Sequence, residues 1–136
     1  MQHIDLIIMF NLKYNTMENK ACSCGADNKI VIACSGAADV GLISDQVSRK
    51  LSLSNQRKMS CLALFATCSD EMINDFKNKE ILVIDGCNID CGKKIMEQRG
   101  ISDYSYLRIT DHGFTKGKTP ANAKNIQAVL EKSLAL

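Results

Sequence analysis

The sequence predicts an α/β fold: an open, mostly parallel sheet of about four strands with helices on both faces. Three observations lead to it. Short apolar runs of strand length alternate with stretches of helical periodicity. The connections between them are short, which makes right-handed crossovers and an open doubly wound sheet the economical solution. The chain, at 136 residues, has the length of one domain with its own core.

The elements follow in order. Ile30-Val31-Ile32-Ala33, within Lys29 to Cys34, is a continuous apolar run, and Ser35-Gly36 ends it. From Ala38, apolar residues fall at Val40, Ile43, Val47 and Leu51, the spacing of an amphipathic helix. Lys58 to Phe65 reads as a second strand. Ser69-Asp70-Glu71 reads as a helix start ahead of Met72, Ile73 and Phe76. Glu80 to Ile84 is the third strand, Asp90 to Arg99 a helix stopped at Gly100, and Tyr106 to Thr110 the fourth strand. Asn122 to Leu134 closes the chain as a helix, with Ile126, Val129, Leu130 and Leu134 on one face. Aromatic residues are only 5% of the chain and Trp is absent, so the core must be aliphatic.

Residues 17–136 read as a single domain. Residues 1–16 read as an N-terminal extension without assigned function, because Met17-Glu18-Asn19-Lys20 has the look of a start. The apolar run Ile4 to Phe10 falls far short of the ~20 residues a membrane helix needs, and no basic segment precedes it as in a signal peptide. It remains a candidate edge strand. The net charge is +2 with scattered lysines, which argues against nucleic-acid binding. The partners expected are therefore a metal ion, with no nucleic acid and no membrane.

Cysteine is the informative residue. Seven is a high and odd count, and without a secretory signal it points to metal or thiol chemistry in a reducing, cytoplasmic setting. Cys34 ends the first strand, Cys61 lies in or near the end of the second, and Cys87 and Cys91 follow the third. All strands of a parallel sheet end at one edge, where ligands bind. These four sulfurs, distant in sequence, are thus expected to converge. Cys87 and Cys91 stand at i and i+4 where a strand hands over to a helix, so both can face one side of the first turn. Free amides there favour thiolate, and the same argument predicts a depressed Cys34 pKa. Asp85 and Asp90 flank the pair as candidate caps of the turn and of the helix. Cys68 reads as structural, His112 as an exposed loop residue near the same edge, and Cys22-Ser23-Cys24 as an accessory chelating pair or exposed thiols. His3 falls in the extension.

Four motifs in order resemble the DGC-domain family. They are Cys34-Ser35-Gly36-Ala37-Ala38-Asp39-Val40-Gly41, Cys61-Leu62-Ala63, Asp85-Gly86-Cys87-x-x-Asp90-Cys91, and Thr110-Asp111-x-Gly113-Phe114-x-Lys116-Gly117. The resemblance spans roughly residues 22–120. It implies zinc, Zn(2+), as the cofactor and Cys34, Cys61, Cys87 and Cys91 as the metal ligands. It implies no reaction. After Cys61-Leu62-Ala63 the family carries a glycine-rich turn where this chain has Leu64-Phe65-Ala66-Thr67-Cys68, a stiffer segment less suited to holding an anion.

The expected function is therefore a small zinc-binding protein acting in metal sensing, carriage or regulation. Two alternatives stand beside it. One is a thiol-dependent redox enzyme using Cys34 or the Cys87/Cys91 pair; no arginine follows Cys34 in its loop, which disfavours a phosphatase. The other is an iron–sulfur protein, although the clustered cysteine spacing of bacterial ferredoxins is absent.

Overall fold

A computed structural model describes residues 28–136; the extension, Cys22 and Cys24 lie outside them. The strands are β1 (Lys29–Ala33), β2 (Lys58–Ser60), β3 (Glu80–Asp85) and β4 (Ser105–Arg108). The helices are α1 (Asp39–Leu53), α2 (Leu62–Thr67), α3 (Asp70–Lys77), α4 (Cys91–Gln98) and α5 (Ala123–Leu134), with a 3-10 turn over Ile109–His112. The sheet is parallel throughout, in the order β2-β1-β3-β4.

Side-chain alternation along the strands divides the core. Val31, Leu82 and Ile84 face one side and pack with Val40, Ile43, Val47 and Leu51 of α1 and Ile126 and Val129 of α5. Ile30, Ile32, Ile81 and Val83 face the other side and pack with Phe65 of α2, Ile73 of α3 and Met96 of α4. β1 and β3 are covered on both faces, which is why they read as unbroken apolar runs. Each fully buried Ile or Leu contributes about 1.5–3 kcal/mol relative to exposure, so the two layers need no added staple.

Most predicted elements stand within a residue or two of their expected limits. The main correction concerns Lys58 to Phe65. Only Lys58–Ser60 is strand, and Leu62–Thr67 is helical. The residues after Cys61 are mainly Leu and Ala, good helix formers without β-branching. Burial of Phe65 against Phe76, ring centroids 4.3 Å apart, completes the turn. The other ends behave as their chemistry dictates. Ser69 caps α3 by accepting the Met72 amide, Asn122 caps α5 by accepting that of Asn125, and Gly100 takes a φ of +67° after α4. Among the described residues no helix is long and apolar enough to cross a membrane.

Candidate functional site

Chain order reverses between β1 and β3: the chain leaves β1 for β2 on one side, then returns to place β3 on the other. That switch point opens a crevice at the carboxyl ends of β1 and β3. Both segments that leave it are held by close backbone packing. A Cβ on Gly41 would lie 2.7 Å from the Gly36 carbonyl oxygen, and one on Gly86 would lie 2.9 Å from the Gly41 nitrogen. The segment after β1, the start of α1 and the turn after β3 therefore touch main chain to main chain. Only glycine permits this approach.

Cys34 sits in this crevice, its amide donating to the Ile84 carbonyl at 2.9 Å. Its thiol pKa is raised above the ordinary 9.0, chiefly by burial, with the charges of Cys91 and Asp85 adding to the effect. The amides of Gly36 and Gly86 pull it down without prevailing. The shift thus runs opposite to the expected depression: desolvation, with the Asp85 carboxylate nearby, favours the protonated sulfur. Cys34 and Cys91 follow the adjacent strands β1 and β3 at this edge. Cys91 opens α4, and Cys87 packs half-buried against the core face beneath α1.

The two aspartates exchange their expected parts. Asp85, with no exposed surface, caps α4 from within: its carboxylate accepts the amides of Gly92 at 2.8 Å and Lys93 at 3.0 Å. A Cβ on residue 92 would lie 2.9 Å from that carboxylate, so Gly92 makes the cap fit. Asp90 occupies the N-cap position but makes no cap hydrogen bond, because it is left-handed at φ 56°, ψ 43°. Its carboxylate instead takes a two-point grip from Arg108, with Nε–Oδ1 and Nη2–Oδ2 both at 2.7 Å. Arg108 holds Asp90 below the usual carboxylate range. The Tyr106 hydroxyl stands between the two carboxylates, 2.8 Å from Asp90 and 3.1 Å from Asp85. Burial first, then the bond to Asp90, pushes its pKa far above the ordinary tyrosine value. A neutral tyrosine and one arginine on β4 thus fix the turn that carries Cys87 and Cys91.

A second tie reaches from the end of the sheet. Asp39, opening α1, accepts the amides of Val40 and Gly117 at 2.8 Å and Thr119 at 2.9 Å. The Gly117 and Thr119 bonds lower its pKa first. This explains why the Lys116-Gly117 motif accompanies the cysteine motifs: it is strapped to the helix that follows Cys34.

Cys61 is the outlier of the expected four. It occupies the N-cap position of α2 without a side-chain cap bond and is exposed, at the end of β2, with β1 between it and β3. Strands lie about 4.8 Å apart, so β2 and β3 end roughly 10 Å from one another. Sulfurs around one zinc at ~2.3 Å must approach to about 4 Å. Among the described residues, no three His, Cys, Asp or Glu side chains gather so as to hold a metal ion. The donor set has the soft chemistry zinc prefers, while the arrangement described is an open one. Cys68 packs against the second core face and its carbonyl accepts Arg99 Nη2, a structural position. His112 is exposed on the 3-10 turn.

Sequence reasoning missed Tyr106 and Arg108, whose positions in a strand look ordinary. Their alternation with buried Leu107 is the signal that both point to the carboxylate side. Among known proteins, the family profile described as the DGC domain matches residues 30–133. The anaerobic and virulence modulator AnvM of Pseudomonas aeruginosa is 25% identical over 88 residues, covering 64% of this chain and 67% of that protein. No solved structure matches.

Proposed function

This chain belongs to the DGC-domain family, and from that premise we propose that it is a small regulatory protein whose carboxyl-edge cysteines bind zinc. One observation supports the reading above others: Cys34 follows β1 while Cys87 and Cys91 follow the adjacent β3, so all three lie at the switch point of the sheet. In this reading Cys34, Cys87 and Cys91 close on the ion from positions that, among the described residues, do not already form a metal-holding group. Cys61 is the fourth ligand and joins when the turn after β2 swings inward. A site completed by a moving ligand suits sensing or carriage better than stapling, since binding then reports on conformation. Thiolate supplies the charge, and zinc binding must release the proton that burial keeps on Cys34. The similarity to a protein named as an anaerobic modulator agrees with a regulatory role in a reducing cytoplasm.

The test is elemental analysis of protein purified anaerobically without a metal-binding tag. About one zinc per chain is expected. The Cys87→Ser/Cys91→Ser double variant should lose it; full zinc in that variant removes the site assignment.

The openness of the arrangement supports a second reading, a thiol redox switch. The pair would be Cys34 and Cys91, in place of Cys87 and Cys91. Two thiols would pass two electrons to a peroxide, forming one disulfide and two waters. Peptide mapping after a peroxide pulse should find a Cys34–Cys91 link. A Cys87–Cys91 link, or none, counts against it.

A further inference from the structure

On the side of β1 away from Cys91, between α1 and the turn that follows the edge strand β2, lies a cavity of about 710 Å³. That volume suits a small organic molecule. Its polar wall is built around one ion pair. Asp45 is nearly buried, and its oxygens are taken by Ser35 Oγ at 2.8 Å and by Arg49 Nε at 2.7 Å. Gln46 Nε2 adds a longer bond at 3.4 Å, and the carboxylate holds the 60% exposed Arg49 side chain through Nε alone. The Nη1 and Nη2 groups of Arg49 donate to no partner among the described residues. Ser60, on the same wall, likewise has an unengaged hydroxyl. The apolar Leu53, Met59 and Leu62 also line the cavity, and Leu53 is 85% exposed.

We propose that this cavity binds a small organic acid, its carboxylate on the free fork of Arg49 and its apolar body on Leu53, Met59 and Leu62. A planar carboxylate matches the fork of two parallel N–H donors. Asp45 already offsets the charge of Arg49, so the wall suits a monoanion and leaves a phosphate dianion undercompensated. The held guanidinium is pre-organised, which limits the ordering cost of binding. Cys61, the proposed fourth zinc ligand, also lines this cavity, but the acid is recognised by Arg49 and the apolar side chains, so a titration of chelated protein reads it apart from the metal proposal.

The experiment is an amide-shift NMR titration of the full chain with 4-phenylbutyrate, its neutral counterpart 4-phenylbutan-1-ol, and phenyl phosphate. Saturable shifts are expected on residues 49–53 and 59–63, with the acid binding at least about ten-fold tighter than the alcohol, as a charge-assisted pair implies. Arg49→Met should bring the acid to the level of the alcohol while the alcohol changes by less than about two-fold. Should Arg49→Met fail to fold because Asp45 is left unpaired, Arg49→Lys keeps the charge and loses the fork, and the preference should fall several-fold. Shifts centred elsewhere, equal binding of acid and alcohol, a preference that survives both variants, or tighter binding of phenyl phosphate would each overturn the proposal.

Discussion

Asp85 shows how much one residue organises. A carboxylate without exposed surface is tolerable only when its lone pairs are filled, and here two amides and a tyrosine hydroxyl approach it. Asp85→Asn keeps the shape but turns an N–H₂ toward at least one donor. We expect a loss of about 2–3 kcal/mol, checked by urea unfolding, from a charge-assisted cap replaced by a mismatched one. Gly41→Ala attacks the same crevice from the other side, its Cβ meeting backbone at 2.7 Å. Main chain cannot rotate away, so about 1–3 kcal/mol and a melting point lower by roughly 5–15 °C are expected from overpacking. The sequence announces Asp85 and Gly86 by their motif, yet it cannot say which aspartate caps the helix. That depends on Asp90 adopting a left-handed backbone, which Arg108 stabilises from 18 residues away. Cys34 carries the same lesson. Local amides predict a low pKa, whereas burial and the neighbouring anions are features of the assembled crevice. In chelated protein, alkylation of Cys34 should therefore be slower than that of exposed Cys61 near pH 8 and rise only above pH 9, the side of the ordinary thiol value toward which the shift points. Fast labelling of Cys34 at pH 8 would contradict the burial argument.

At the level of elements, the site depends on two strand-to-helix turns with different anchors. The turn after β3 is held by β4, through Arg108 and Tyr106 on Asp90. The turn after β2 leads into a helix of only six residues at the sheet edge, and it carries Cys61. Periodicity makes β1, β3, α1 and α5 legible because each buries a clear face. It fails after Ser60, where Leu62-Ala63-Leu64-Phe65-Ala66 has the same apolar character in strand or helix and only the packing of Phe65 decides. Cys34, Cys61, Cys87 and Cys91 all follow carboxyl ends of strands, but among the described residues no three of them gather as a group that could hold a metal ion. Strand order, which the sequence does not reveal, sets Cys61 one strand from Cys34 and two from the turn that carries Cys87 and Cys91. Arg108→Met tests the anchored turn. With the grip on Asp90 gone, the left-handed residue loses its partner and the Cys87–Cys91 segment relaxes. We expect amide shifts confined to residues 86–93 and, on the metal reading, zinc occupancy reduced by about half or more. A variant with unchanged zinc and unchanged shifts would show that the turn orders itself.

For the molecule as a whole, acid and metal act on different parts. Asp39, Asp45, Glu80 and Asp90 all have pKa values below their ordinary ones, each from a hydrogen-bonded or ion-paired partner that exists only in the fold. The unfolded chain then binds more protons than the folded one as pH falls through the carboxylate range. The stability these groups add is present above their unfolded values of 3.8 for Asp and 4.5 for Glu, and is lost as pH drops through the lower folded values. Urea midpoints should accordingly hold between pH 5 and 7 and fall below pH 4; a midpoint unchanged at pH 3 would exclude the linkage. Chelation should behave otherwise. Both faces of the sheet are packed by aliphatic side chains, and the turn bearing Cys87 and Cys91 is held by Asp85, Tyr106 and Arg108. A zinc finger unfolds without its ion because the ion supplies its core. Here the core is complete on both sides and the cysteines lie at its edge. The far-ultraviolet circular dichroism of chelated protein should therefore stay within about a tenth of that of untreated protein, with any loss in melting temperature set by metal binding alone. Collapse of the helical signal on chelation would make the metal part of the scaffold and would contradict the regulatory reading.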